Sequence, residues 1–461
     1  MHLGFDFGTT NSVAAVIDGA GEPRVLPLDP ATPESGILRT LLYVERDGSI
    51  HCGEEAVRLH RAQNVGRMPR FARTWVGVID LEIGDAAVKG YNIPGGLMSV
   101  EVFADVDADA PGRLMHSLKG PLATEYAGTK LFGHAYSLEE LIAEFLSRAR
   151  RRVNDLTGHD IQVVTLGRPV NFAGANSRSD NERAQERLRK AAELAGFTEI
   201  SFELEPIAVG LAYGERHEMR PGSYAMVFDF GGGTLDVALI RQEGAAEQYV
   251  LATGGIGIAG DHFDQAIFRR AMLPWLGGDV RWGSQRLDMP GHLLDVLGDW
   301  QDVVALWNAP TLTFLRQVQS DCSNPIRILA LEDFIFKGYA FDVYERVEQC
   351  KVRLSNERFG IIAFDADALS IWQPLTRLQL ESYLTQDARV IREMIERTLT
   401  GAGIRADQVD YVIRTGGSSS IPYFVEMLGV MFGRQKVVES DRFTSVASGL
   451  ALCASRASGV R

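Results

Sequence analysis

Cysteine is scarce. The 461 residues include four, Cys52, Cys322, Cys350 and Cys453, and none forms a Cys-x-x-Cys pair. That spacing excludes a disulfide scaffold and a zinc ribbon, and it fits a reducing compartment. A basic excess is missing too. Lys and Arg total 47 against 60 Asp and Glu, for a formal charge of −13. Neither a nucleic-acid partner nor docking on anionic lipid is therefore expected. No apolar run approaches the roughly 18 residues that a membrane-spanning helix needs. The opening MHLGFDFGTT lacks a basic stretch followed by an apolar one, so no signal peptide is expected. The expected address is the cytoplasm.

What is present is ordinary for a globular protein: 46% apolar and 23% charged residues. Length alone points to roughly three units or two large lobes. Leu3-Gly4-Phe5-Asp6-Phe7 reads as a strand, Gly8-Thr9-Thr10-Asn11 as a turn, and Ser12 to Ile17 as a second strand. Arg46-Asp47-Gly48 marks a further hairpin. Residues 77–112 are poorly patterned and read as an excursion. Ser137 with Glu140 forms a capping box ahead of an apolar helical face, and Ser179 with Glu182 predicts another. Arg148 to Arg152 reads as the solvated end of a helix. Ile161 to Leu166 reads as a buried strand.

The second half repeats the opening. Tyr224 to Phe230 is a predicted strand, Gly231-Gly232-Gly233-Thr234 a turn, and Leu235 to Ile240 a strand. Two copies of one device, about half a chain apart, point to two lobes of similar topology. Residues 272–340 carry Trp275, Trp282, Trp300 and Trp307 without a clean period, and read as an insertion whose tryptophans serve the core. Helices are expected around Tyr344 to Leu354 and between Leu378 and Leu399. A strand from Val409 to Arg414 leads into the loop Thr415-Gly416-Gly417-Ser418.

A hairpin tip without bulky side chains can wrap backbone N–H groups around phosphate oxygens. Thr9, Thr10 and Asn11 add hydroxyl and amide donors to the first tip. Asp6 and Asp229 end their strands beside the tips. They would repel phosphate directly but can hold the water shell of a Mg²⁺ ion. The Gly416-Gly417-Ser418 loop lets an anion or adenosine approach a helix N-terminus.

These motifs resemble the nucleotide-binding domain of the heat-shock 70 (DnaK-like) chaperone family, within the actin and hexokinase superfamily. Gly4 to Ser12 resembles the first phosphate loop and Phe228 to Asp236 the second. Glu205 to Gly214 resembles the first connecting segment, Ala259 to Asp264 the Gly-Gly-x-Asp-Phe-Asp stretch, and Thr415 to Pro422 the adenosine loop. The chain is similar to the short YegD-like branch of that family.

The resemblance implies an α/β, two-lobed actin-like ATPase with duplicated ribonuclease H-like βββαβα lobes. Residues 1–205 would form the first lobe and 206–461 the second, with no peptide-binding domain. It implies ATP or ADP and Mg²⁺ as cofactors. Gly8, Thr9, Thr10 and Asn11 would contact phosphates, and Gly231, Gly232, Gly233 and Thr234 would cradle them from the other side. Asp6, Glu205 and Asp229 would order the hydrated metal, with Thr234 and Asp236 near the attacking water. Lys119, in Ser117-Leu118-Lys119, would place the water or the γ-phosphate; Arg73 is the competing assignment. Glu348, Lys351 and Ser355 share a helical face and would bond ribose and adenine, beside Gly416, Gly417 and Ser418. Val352 and Ser420 stand where the family has adenine-stacking arginines.

The expected function is slow hydrolysis of ATP to ADP and phosphate, with a protein client or co-chaperone as partner. The alternatives are a nucleotide-binding scaffold with little turnover and a small-molecule kinase of the same superfamily.

Overall fold

Two β-sheets with the same strand order organise the chain. In the computed structural model, which describes residues 2–32, 36–83, 86–88, 91–93, 96–243 and 248–457, the first sheet runs Glu199–Leu204, Val163–Arg168, His2–Phe7, Asn11–Ile17, Pro23–Leu26. Ile37–Arg39 also pairs with Asn11–Ile17. The second sheet runs Val437–Glu439, Tyr411–Thr415, Tyr224–Phe230, Leu235–Gln242, Gln248–Ile256. In both, the first three strands in sequence are antiparallel and the last two add in parallel on the other side. The class is mixed α/β. The parallel additions need crossover helices, which cover the faces. That is why the strands read as apolar runs rather than alternations.

Each sheet is buried on both sides. Leu3, Phe5 and Phe7 face a core shared with Leu141, Phe145 and Leu188. Gly4 lies on the opposite face, where a Cβ would come within 2.6 Å of the Ala447 carbonyl. The helix Ser445–Ala457 therefore rests directly on that strand. In the second sheet Met226, Phe228 and Phe230 face the largest core, with Phe263 and Phe424. Ala225 and Val227 face Ala208, Val209 and Leu450. The helices Glu205–Arg216 and Ser445–Ala457 thus sit between the sheets. They cross where Gly449 meets Ala208, and a Cβ at Gly449 would fall on the Ala208 carbonyl. Only a glycine allows this approach.

Accessory elements meet above the sheets. The strands Leu41–Glu45, Ile50–Cys52 and Gly112–His116 carry the helix Gly53–Asn64. Phe71–Ile83 pairs with Gly96–Asp107 as a separate two-stranded ribbon, so the excursion begins earlier than 77 and stays off the main sheets. Part of that stretch lies outside the described residues. Across from these, the guanidinium groups of Arg39 and Arg61 approach the ring of Phe341, on the helix Ala340–Asn356, at 5.6 and 5.7 Å from its centre. Arg39 reaches Glu345 at 2.6 Å, and Arg61 reaches Asp342 at 2.7 Å. Trp275, Trp282, Trp300 and Trp307 all pack against the large core, as expected.

Four local readings change. The cap of the helix Arg178–Leu194 is Ser177, which accepts from the Asp180 N–H, rather than Ser179. Both serines have an acidic residue three positions on, so spacing alone did not separate them. The helix expected between Leu378 and Leu399 is two, Arg377–Tyr383 and Thr385–Gly401. Leu384 at the break is fully buried, so the apolar period runs through it unbroken. Arg148 to Arg152 lies inside the helix Leu138–Thr157 rather than at its end. Arg148 bonds the Ile50 carbonyl and Arg150 the Ile161 carbonyl. The buried strand starts at Val163 rather than Ile161.

Candidate functional site

The two hairpin tips touch. Asp6 and Phe7 pair with Val13 and Ser12 on one side of the first turn. Asp229 and Phe230 pair with Asp236 and Leu235 on either side of the second. The Gly231 N–H closes that turn on the Thr234 carbonyl at 3.0 Å. A Cβ at Gly233 would lie 2.6 Å from the Thr9 hydroxyl, and one at Gly232 would overlap the Thr10 hydroxyl. The Thr10 hydroxyl also donates to Asp261 at 3.4 Å, and the Asp261 N–H donates to the Gly232 carbonyl at 2.9 Å. Backbone from one sheet therefore opposes hydroxyls from the other.

A charged cluster lies beneath the tips. Lys119 donates to Glu205 at 2.6 Å, and both side chains are more than nine-tenths buried. Glu205 opens the helix Glu205–Arg216, where the helix dipole favours an anion. Asp236 accepts from the Val170 N–H at 2.7 Å and from the Thr234 hydroxyl. Burial, then the nearby Glu205, push Asp6 up to about 7, against the pull of Lys119. Burial and Glu205 also push Asp236 up to about 7. Asp229 rises well above the carboxylate range through burial, Glu205, Asp6 and Asp236. Burial works against the charge on Lys119, but Glu205, Asp6 and Asp236 outweigh it and hold its pKa high. Four carboxylates thus share one buried ammonium.

That imbalance fits a divalent cation. Among the described residues no three acidic, His or Cys side chains converge as direct ligands. The fit is to a hydrated ion held through its waters, the habit of Mg²⁺. Asp6 and Asp229, with Glu205, would hold it.

The third loop closes on the second tip. Gly416 takes a positive φ of 80° after the strand Tyr411–Thr415. Ser418 then donates to the Gly231 carbonyl at 3.2 Å, and the Gly260 N–H donates to the same carbonyl at 3.2 Å. Lys351 donates to the Gly260 carbonyl at 3.0 Å and to Asp264 at 2.5 Å. Burial opposes its charge, but Asp264 and Glu348 hold it protonated.

The structure therefore brings together Asp6, Lys119, Glu205, Asp229, Thr234 and Asp236 below the tips. It apposes Thr9 and Thr10 to Gly232 and Gly233. It gathers Gly231, Ser418 and Lys351 beside them. Gly8 packs against the Asn11 carbonyl, which keeps the first turn tight. Ser355 is turned to its own helix, on the Lys351 carbonyl at 3.4 Å. Glu348 lines a small cavity of about 70 Å³ with Thr10, Asp261 and His116. Gly417 lies near the Phe443 ring. Arg73 is out on the ribbon, over Phe103. His262 reaches Asp387 at 3.2 Å on the surface. Among the described residues Arg168 makes no ion pair; it bonds Gln185 and the carbonyls of Pro169 and Val170.

Three contributors were not singled out from sequence. Asp264 neutralises Lys351, Val170 anchors Asp236, and Gln301 reaches His116 near Lys119. Asp264 had a local signal in the Asp-His-Phe-Asp stretch. The other two depend on distant pairings that no local pattern reveals.

The chain matches the family described as Hsp70 protein over residues 111–273 and 340–461, more than half its length. It belongs to the heat-shock 70 family. Its heat-shock 70 relatives include the Chaperone protein HscA homolog of Bordetella pertussis, 26% identical over 100% of this chain and 59% of that protein. The Chaperone protein dnaK of Cyanidioschyzon merolae is 24% identical over 98% of this chain and 61% of that protein. The Chaperone protein DnaK of Thermosipho melanesiensis is 23% identical over 75% and 49%. The chain thus spans about half to three-fifths of these relatives' length. Residues 274–339, between the two matched parts, are left out of the heat-shock 70 match.

Proposed function

We propose that this heat-shock 70 family chain binds Mg-ATP between two actin-like lobes and hydrolyses it slowly. The single observation that supports this most is the contact of the two tips above a buried, acid-rich cluster that includes one lysine. The lobes would be built on the two sheets, with the crossing helices Glu205–Arg216 and Ser445–Ala457 as the joint. The shared strand order of the two sheets supports a ribonuclease H-like plan for each lobe.

In this reading the tips hold the phosphates through backbone N–H groups and the Thr9, Thr10 and Asn11 side chains. Bound Mg²⁺ would neutralise phosphate charge. Lys119, oriented by Glu205, points its ammonium at the developing negative charge. Asp236, fixed by Val170 and Thr234, orients the attacking water. Phosphoryl transfer asks little more than such positioning and charge stabilisation. Ser418, Gly260 and Lys351 form the wall toward the nucleoside. A client or co-chaperone would read the lobe angle, and the cytoplasm remains the proposed address. Phosphate release from ATP, followed with malachite green, tests the proposal. Activity above a Lys119→Ala control is expected, and none above it refutes hydrolysis.

One observation favours a second reading, a nucleotide-binding scaffold with little turnover. Val352 is exposed, and the Ser420 hydroxyl is engaged with the Gly417 carbonyl at 2.8 Å. Neither position offers a guanidinium to stack on a base. Tight nucleotide binding with unchanged nucleotide after long incubation would select that reading.

A further inference from the structure

We propose that Gln301, in the stretch 274–339 between the two matched parts, is a positioning residue for Lys119, acting through His116. The strand Gly112–His116 delivers the chain to the lysine, and the turn between them is unusual. Ser117 has a positive φ of 52°. A non-glycine residue stays in that region only where its surroundings impose it. Three contacts do so here. The Gly120 N–H closes the turn on the Ser117 carbonyl at 2.9 Å. The Ser117 hydroxyl reaches the His116 Nδ1 at 2.7 Å. The Gln301 amide reaches the same nitrogen at 2.7 Å.

The neighbouring Trp300 fixes this arm. Its ring lies 5.2 Å from that of His116 and 5.1 Å from that of Phe341. Burial keeps His116 neutral, pushing it down to about 4. With the ring proton on Nε2, the single Nδ1 lone pair accepts from the Gln301 amide and is shared with the Ser117 hydroxyl. The same segment holds the first half elsewhere: the Ala309 N–H donates to Asp105 at 3.2 Å, and Phe336 meets Phe71 edge-on at 5.8 Å. Residues from the stretch 274–339, outside the two matched parts, therefore brace the turn that ends in Lys119. The role assigned to Lys119 rests on the proposed function, while the brace itself does not.

Two measurements separate these. In the nucleotide-free protein, hydrogen exchange at the Gly120 amide reads the turn directly. Gln301→Ala and the volume-keeping Gln301→Met should both speed it by about three- to tenfold, the scale of one lost hydrogen bond. Ile326→Ala, at an exposed site on the same segment, should leave it unchanged. In single-turnover cleavage of Mg-ATP, both Gln301 variants should be slower by a similar factor, with nucleotide affinity within about twofold. Unchanged exchange at Gly120 in both Gln301 variants overturns the brace. Faster exchange with unchanged cleavage overturns the positioning role. A wild-type protein that binds no nucleotide refutes the proposed function and the positioning role with it; exchange at Gly120 still decides the brace.

Discussion

Lys119 and Glu205 show why the site resists simple truncation. Their 2.6 Å pair is buried beside three further carboxylates. Lys119→Ala would strand Glu205 among like charges. Breaking such a pair costs about 3–5 kcal/mol, and losing a positioned cation at the reacting phosphate costs about 100-fold in rate. Urea melts and phosphate release should therefore both fall in this variant. If stability drops while turnover is untouched, the lysine is structural only. The raised carboxylates give a second test. Asp6 and Asp236 have folded pKa values of about 7 against an ordinary 3.8. The fold holds protons that the unfolded chain has already lost between about pH 4 and 7. These groups contribute stability that is complete below the lower value and gone above the higher one. A cation at the same carboxylates displaces those protons. The rise in Tm on adding Mg²⁺ should therefore be larger at about pH 8 than at about pH 5.5. An equal rise at both would contradict the assignment. His60, His116 and Asp264 also titrate away from their ordinary values, but they enter the melts with and without Mg²⁺ alike.

At the scale of elements, the fold depends on two close approaches. The helices Glu205–Arg216 and Ser445–Ala457 touch through Gly449 and the Ala208 carbonyl. Gly449→Ala must push them apart. Overpacking of this kind costs about 1–3 kcal/mol, and a lower urea midpoint with an unchanged slope is the expected result. An unaffected midpoint would show that the crossing has slack. The tips are the other approach. Gly232→Val would fill the space of the Thr10 hydroxyl. It should weaken nucleotide binding by about tenfold or more while leaving the melt nearly unchanged, because the tip is outside the cores. Calorimetric titration checks it. The two tips were legible because Asp-x-Gly recurs in both hairpins, at Asp6 to Gly8 and Asp229 to Gly231, with threonine following in each turn. The split at Leu384 and the Ser177 cap were not, because period and spacing are identical on either side of each.

At the scale of the molecule, the sequence carried the duplication but not the way the halves interlock. The repeated turn predicted two related units, and both sheets share one strand order. Lys119 was placed by resemblance, and the structure brings it to Glu205. The return of the helix Ser445–Ala457 from the second half onto the strand His2–Phe7 left no local trace. Nor did the approach of Arg39 and Arg61 to the Phe341 ring, or the reach of Gln301 to His116. These depend on residues far apart in the chain, where no period operates. In the proposed function, tips from both halves enclose a triphosphate over a hydrated cation. Calorimetric titration of ATP into the protein, with and without millimolar Mg²⁺, tests it most directly. One site per chain, strengthened by Mg²⁺ and weakened by Gly232→Val, is the predicted outcome. Absence of binding at millimolar Mg²⁺, or binding indifferent to that substitution, would contradict it.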